Sequence, residues 1–260
     1  MRKFSQDVLG SIAILKFPEK TLLNKKKKLA KEFLRKNNQI KGVFEKAGKL
    51  KGRLRKAEIR FLAGDKNQET TYLENGCKFK FDINETYFSP RLASHRKEVS
   101  EELAKKIKNN QKILVMFAGV APLPITLGKI LKKQNKKVKI ISNEINRKAN
   151  KYAKENIKLN HLEYFIEIIS GDAKKLPTKL KQKFDIILMP RANLKNTFLK
   201  TALKLSKKGT LIYYHGFGER ESVIEEIKKD AGGKIGKIKI KKAGEIAPYR
   251  FRWLVKFRVK

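Results

Sequence analysis

The stretch Ile113-Leu-Val-Met-Phe-Ala-Gly-Val-Ala-Pro122 constrains the fold of this chain most. It opens with a short apolar run, Ile113 to Phe117, of the kind that forms a strand buried on both faces. Small, turn-forming residues follow, and then Ile125, Leu127, Ile130 and Leu131 recur at helical spacing. Strand, small-residue turn and helix open a nucleotide-binding α/β unit. Gly119 lets a ligand approach the backbone, and the helix start offers unpaired N–H groups. Ala121 stands where a second glycine of a dinucleotide fingerprint is expected, so a pyrophosphate cofactor fits poorly.

The next strands repeat this placement. Lys137 to Ser142 reads as a second strand ending at Asn143-Glu144-Ile145-Asn146, with a helix from Arg147 to about Asn160. A carboxylate at that tip is where a ribose diol is held, and Glu144 is expected to accept both hydroxyl protons. Tyr164 to Ile169 reads as a third strand, closed by Ser170-Gly171-Asp172-Ala173. The Asp172 carboxylate is placed to accept from an adenine amino group. Phe184 to Met189 is a fourth strand ending at Pro190-Arg191. Each candidate lies at the carboxyl end of a strand, where open α/β sheets bind ligands.

Charge narrows the partner. The 260 residues carry 64 Lys and Arg against 25 Asp and Glu, a formal net charge of +39. A polyanion is the expected partner, and nucleic acid is the commonest one. A lysine-rich composition accounts for part of the excess. The 40% apolar content still supports a normal core. No run reaches the roughly 18 apolar residues of a membrane span. The start lacks the apolar core of a signal peptide, so a cytoplasmic protein is expected. Cys77 is the only cysteine, which excludes an intrachain disulfide and a cysteine-built zinc site.

Ahead of the α/β part the chain reads as a small α+β domain. Asp7 to Phe17 is a strand pair or a strand bent at Gly10, and Pro18-Glu19 is expected to open a helix carrying Lys25 to Lys28. Leu22, Leu29, Phe33 and Leu34 are its expected buried face. Further strands are read at Ile40 to Phe44 and Ile59 to Ala63. Thr70 to Leu73 and Cys77 to Asp82 form a hairpin through Glu74-Asn75-Gly76. The expected division is residues 1–86 for this domain and 87–260 for the second. After the join, a helix from Ser94 or Ala93 runs through Ile107, Phe198 to Leu205 and Arg220 to Lys228 are helical, and Gly209 to His215 is a fifth strand. Lys234 to Lys241 and Phe251 to Val259 make a late strand pair.

At Asn75-Gly-Cys77 and Tyr87-Phe-Ser-Pro-Arg-Leu92 the chain resembles the archaeal and eukaryotic tRNA (guanine-N1)-methyltransferases that modify the guanosine at position 37, beside the anticodon. The likeness runs from about Asp7 to the C-terminus. It includes Lys46-Ala-Gly-Lys49, Ala63-Gly64, Met116-Phe-Ala-Gly-Val120, Glu155-Asn-Ile-Lys-Leu-Asn160 and Gly171-Asp-Ala173. The resemblance implies S-adenosylmethionine as methyl donor, tRNA as partner, and a class I, Rossmann-like mixed sheet of seven strands, the last antiparallel. It implies cofactor contacts at Arg91, Phe117, Glu144, Asn146 and Asp172. It also implies that Tyr87 lies near the target base and that Arg55 contacts the target guanine. A monomer is expected.

Four departures separate the chain from the family pattern. The family's proposed general base, a Glu after Ser-Pro-Arg-Leu, is here His95, followed by Arg96. An imidazole with an ordinary pKa of about 6.5 also accepts a proton near neutrality. The Asn-Leu-Pro run after the fourth strand is Leu188-Met-Pro190, and the aspartate before Met-Phe-Ala-Gly is Val115. The family's extra N-terminal domain is not expected here. N1 methylation of guanosine is therefore the leading expectation. Methylation of a ring carbon of a wyosine precursor at the same position, or both activities, stays open. Aminocarboxypropyl transfer and a non-catalytic basic RNA-binding protein rank below. Lys25 to Lys28 read as a solvated face, Trp253 as core, and His161 and His215 as structural or exposed.

Overall fold

The parallel strands of this chain are short apolar runs with no polar alternation, and such runs need cover on both faces. The computed structural model describes residues 4–48, 58–247 and 249–260. In chain order the elements are β1 (Ser5–Leu9), β2 (Ile12–Lys16), α1 (Leu23–Lys36), β3 (Gly42–Lys46), β4 (Ile59–Gly64), β5 (Glu69–Glu74) and β6 (Cys77–Asp82). There follow α2 (Ala93–Ala104), β7 (Lys112–Met116), α3 (Pro122–Lys133), β8 (Lys139–Glu144), α4 (Arg147–Leu159), β9 (Ile166–Ser170) and α5 (Leu176–Lys179). The last are β10 (Phe184–Met189), α6 (Leu199–Lys204), β11 (Ser206–Gly218), α7 (Arg220–Ala231), β12 (Lys239–Ala247) and β13 (Arg250–Arg258).

Among the described residues the largest sheet has seven strands in the order β12-β13-β11-β10-β7-β8-β9. From β11 to β9 the neighbours run parallel, while β13 is antiparallel to both β11 and β12. This is the mixed class I architecture expected from the sequence. Ile113, Leu114, Val115 and Met116 of β7 are fully buried, as a central strand requires. Alternate β7 residues join two cores: Ile113 and Val115 pack with α2, α3 and α4 side chains, Leu114 and Met116 with those of α6 and α7. Val115 and Leu188 are register partners in neighbouring strands and belong to one apolar cluster.

The N-terminal residues form a four-stranded sheet, β1-β2-β3-β4, with α1 against β3 and β4. Leu29, Ala30 and Phe33 of α1 close a third core with Ala13, Leu15 and Val43. Helix α1 starts at Leu23, not at Pro18. Pro18 to Thr21 instead form a turn closed by Thr21 N–H to Pro18 O, and Leu22 is extended and 77% exposed. The β5–β6 hairpin turns through Asn75 and Gly76, both at positive φ, which suits Asn-Gly in a two-residue turn. The strand after α7 starts later than expected. Gly232 and Gly233 end α7 at positive φ, and Ile235 makes only an isolated bridge to Val259 before β12 begins. The third parallel strand starts at Ile166, because Phe165 and Ile166 N–H both bond to Leu162 O in a turn that leaves Tyr164 87% exposed.

Side-chain amides tie the hairpin to the α/β core. Asn156 of α4 and Asn160, one turn later at its C-cap, each receive one backbone N–H of β6 and donate to one of its carbonyls. Asn156 Nδ2 also donates to Val120 O. The two amides thus complete the open edge of β6. The four-stranded sheet joins from the other side. Thr70 Oγ1 donates to Leu9 O at 2.9 Å and accepts Ser11 N–H at 3.3 Å. Gly10 makes this approach possible: it sits at φ +56°, and a Cβ there would meet Thr71 O at 2.2 Å.

Candidate active site

The carboxyl ends of β7, β8, β9 and β10 open into one cavity of about 170 Å³. Of the residues singled out from sequence, it brings together Tyr87, His95, Phe117, Gly119, Glu144, Asn146, Asp172 and Pro190. Arg55 lies outside the described residues. Arg91 does not line this cavity. Its guanidinium makes a two-bond ion pair with Asp7 at 3.0 Å, in a neighbouring cleft lined by Asp7 and Leu9 of β1.

The turn after β7 is held in an unusual backbone shape. Phe117 and Ala121 are at φ 60° and 65°, with Gly119 at 58° between them. Left-handed conformation is costly for residues with a Cβ, and such costs concentrate at functional sites. The Glu144 carboxylate helps hold the turn. Oε2 accepts Gly119 N–H at 2.9 Å, while Oε1 accepts Ile145 and Asn146 N–H, both at 2.8 Å. A carboxylate has about four acceptor positions, so three are filled and about one remains. That leaves room for about one further donor from a ligand.

Asn146 is also committed. Its side-chain oxygen caps α4 by accepting Lys148 and Ala149 N–H, and its Nδ2 donates to Glu85 O at 2.8 Å. This residue shapes the cavity wall through the chain between β6 and Tyr87. Asp172 caps the short turn after β9 by accepting Lys174 N–H at 3.0 Å. Asn143 Nδ2 donates to Ile169 and Gly171 carbonyls and fixes the end of β9. Phe117 meets Phe198 edge-on, with ring centroids 5.0 Å apart. With Ile145, Ala173 and Pro190 these rings make the cavity mostly apolar.

At the far end, the Tyr87 to Leu92 run leads into α2. Arg96 is buried, pairs with buried Glu74, donates to Ser89 O at 2.9 Å and lies over the Phe88 ring. Phe88 stacks on Phe81 of the hairpin, and Asn75 Nδ2 donates to Ala93 O. This packing sets the first turn of α2 and hence His95. Burial, reinforced by Arg252 and then by Arg96 and Lys241 against the opposing Glu98, lowers the His95 pKa to about 4. The sequence expectation of an ordinary imidazole pKa is corrected accordingly.

Sequence reasoning gave no site role to His215, Arg252 or Phe198, and named Arg191 only as the residue closing the fourth strand. His215 was read as structural or exposed; it is 8% exposed on β11 and its Nε2 stands 2.9 Å from that of His95. Arg252, on β13, and Phe198, at the start of α6, come from elements far along the chain. Arg191 is 3% exposed and lies over the Tyr214 ring. His215 lies on a strand of the same sheet, so the strand-end rule offered the only sequence signal.

A sequence profile described as the TRM5/TYW2 methyltransferase domain matches residues 70–239, and one described as the TYW2 N-terminal domain matches residues 2–67. The chain belongs to the TRM5/TYW2 methyltransferase family. Within this family it is 31% identical to the tRNA (guanine(37)-N(1))-methyltransferase Trm5b of Pyrococcus abyssi, covering 100% of this chain and 77% of the relative. It is 40% identical to the tRNA (guanine(37)-N(1))/4-demethylwyosine(37)-methyltransferase Taw22 of Nanoarchaeum equitans over 60% of this chain and 48% of the relative. The chain therefore spans about half the length of this second relative. The structure superposes on that of a complex of aTrm5 and tRNALeu with a TM-score of 0.82 at 29% identity, covering 98% of this chain and 72% of that one. The methyltransferase-domain profile begins at residue 70, in β5, and so takes in nearly all of the β5–β6 hairpin that Asn156 and Asn160 hold.

Proposed function

We propose that this chain transfers a methyl group from S-adenosylmethionine to N1 of guanosine at position 37 of tRNA. The observation that carries the reading is the single cavity joining the acid-bearing strand ends to His95. Its donor set suits the cofactor. The apolar walls at Phe117, Ile145, Pro190 and Phe198 suit a purine, Glu144 retains room for one ribose hydroxyl, and Asp172 stands at the next strand end for an amino group. Gly119 and Asn146 shape the adjoining backbone. When bound, the sulfonium cofactor supplies an electrophilic methyl group.

The chain's own residues do the rest. Tyr87 flanks the target base, and Arg55 contacts its edge. His95, neutral near pH 7, accepts the proton that leaves N1. Residues 1–86 carry target recognition and residues 87–260 the transfer. The protein acts as a monomer on the anticodon region of tRNA, in the cytoplasm. The exposed lysines of α1, Lys25, Lys27 and Lys28, offer phosphate contacts, whereas Lys26 is paired with Glu45 at 2.9 Å. Among the described residues no helix is long and apolar enough to cross a membrane.

A second reading has specific support. His95 stands where the resembled family pattern has a carboxylate, and the Taw22 relative carries 4-demethylwyosine in its name. Methylation of a ring carbon of a wyosine precursor at position 37 places no demand on a base for N1. Incubation of unmodified tRNA and of tRNA bearing the precursor with labelled cofactor, followed by nucleoside mass spectrometry, decides. Label in 1-methylguanosine supports the first reading. Label only in the tricyclic base replaces it with the second.

A further inference from the structure

Two imidazoles are in contact in the wall of the cavity. His95 projects from the first turn of α2 and His215 from β11, with ring centroids 5.0 Å apart and planes inclined by 44°. Their Nε2 atoms, 2.9 Å apart, are at hydrogen-bond distance. Two nitrogens at that distance share one proton, so one Nε2–H donates and the other Nε2 accepts. A neutral imidazole carries a single N–H. The donor ring therefore has a bare Nδ1, and the acceptor ring carries its proton on Nδ1. The tautomers of the two residues are locked to each other.

Burial first, and then charged groups, keep the pair neutral. Arg252 of β13, Arg96 and Glu98 of α2 and Lys241 of β12 face His95, while Arg252 and Arg191 face His215. Cations outnumber the one carboxylate, and burial acts in the same direction. His215, too, is held neutral: burial comes first, then His95, Arg252 and Arg191.

We propose that His215 is a positioning residue for proton acceptance: its Nε2 accepts the Nε2–H of His95 and leaves His95 Nδ1 bare as the acceptor. The inference rests on the reading of His95 as the base for guanine N1. The reverse arrangement would occupy both His95 nitrogens and leave it no acceptor. In the transfer the N1–H bond breaks, its proton goes to His95 Nδ1, and its electron pair stays on N1. The N1–methyl bond forms as the methyl–sulfur bond breaks with its pair on sulfur. His95, now an imidazolium, donates a charge-assisted hydrogen bond to His215, which favours the protonated product of the step. Burial, the charge then on His95, Arg252 and Arg191 all oppose a second cation at His215.

Long-range nitrogen–proton NMR on the full chain labelled with 15N-histidine reads both tautomers without any substitution. The expected result is the Nε2–H form for His95 and the Nδ1–H form for His215. A Nδ1–H His95 overturns the inference. Kinetics on tRNA with unmodified guanosine at position 37 give the second arm. His215→Leu is expected to lower kcat by roughly ten- to a hundredfold, the range for losing a hydrogen bond to a charged group, with KM for tRNA little changed. His215→Gln, whose side-chain oxygen can accept, restores most of the rate. His95→Ala combined with His215→Leu is no slower than His95→Ala alone. Melting and cofactor titration check that each variant is folded. Full kcat in folded His215→Leu beside a slow His95→Ala removes the positioning role and leaves the base assignment intact. Full kcat in His95→Ala removes the base assignment itself, and the inference with it.

Discussion

Glu144 Oε2 accepts the backbone N–H of Gly119 at 2.9 Å and so ties the tip of β8 to the turn after β7. The carboxylate acts on the protein before it acts on any ligand, because two more backbone N–H groups fill Oε1. Glu144→Ala is expected to weaken S-adenosylmethionine binding and also to destabilise the fold. The loss in stability should be about 1–3 kcal/mol, from N–H groups left without their acceptor. Calorimetric titration and denaturant melts measure the two effects. Weaker binding with an unchanged melt would mean that the Gly119 turn holds itself.

The pH profile follows from His95. Its folded pKa, about 4, is below the ordinary imidazole value of about 6.5. Between those values the unfolded chain binds more protons than the folded one, so stability rises with pH across this window and is lost as pH falls through it. His215 is shifted in the same direction and adds to the effect. The melting temperature should therefore drop from about pH 6.5 to pH 4, and less in His95→Ala. N1 methylation should not rise through neutrality on account of His95. Single-turnover rates measured across this range would show a midpoint near 6.5 if the imidazole were unshifted.

Asn156 makes three hydrogen bonds that no apolar side chain replaces: it accepts Lys80 N–H at 2.6 Å and donates to Lys80 O and Val120 O. The residue is fully buried. Asn156→Leu should cost on the order of 2–4 kcal/mol, since it strands half-buried backbone groups of β6 and the buried Val120 carbonyl before α3. Hydrogen exchange would locate the loosening at Lys80. A stability change below about 0.5 kcal/mol, typical of a neutral surface change, would show that the hairpin docks by its apolar face alone.

Binding to tRNA should weaken steeply as salt is raised, because phosphate neutralisation releases counterions. Reversing Lys25, Lys27 and Lys28 to Glu should lower affinity and flatten the salt slope while leaving the melt unchanged. Lys26→Glu is different: it places a carboxylate beside buried Glu45 and should destabilise the fold. Filter binding across a salt series separates the two outcomes. An unchanged slope in the triple variant would put the phosphate contacts elsewhere on the surface.

The parallel core was legible in the sequence for a local reason. Runs such as Ile113 to Met116 and Phe184 to Met189 have no polar face, so only a strand covered on both sides accommodates them. The strand-end rule then located Gly119, Glu144, Asp172 and Pro190, because a strand's carboxyl end is fixed by where its apolar run stops. Asn75-Gly76 likewise fixed its turn through backbone preference alone. What those side chains do was settled by partners distant in sequence. Glu144 spends acceptor positions on Gly119, and Asn156 reaches Lys80. Arg91 pairs with Asp7, 84 residues away. Val115 and Leu188 look like separate departures along the chain, yet they are register neighbours that share one apolar cluster. The pKa of His95 is the sharpest case. Its sequence neighbours include both Arg96 and Glu98, but burial and Arg252 decide its charge, and His215, 120 residues away, decides its hydrogen bond. Local pattern sets where the backbone goes, because hydrophobic period and turn preference are short-range. Charge state and hydrogen-bond occupancy depend on desolvation and on groups that only the closed fold brings within a few ångströms.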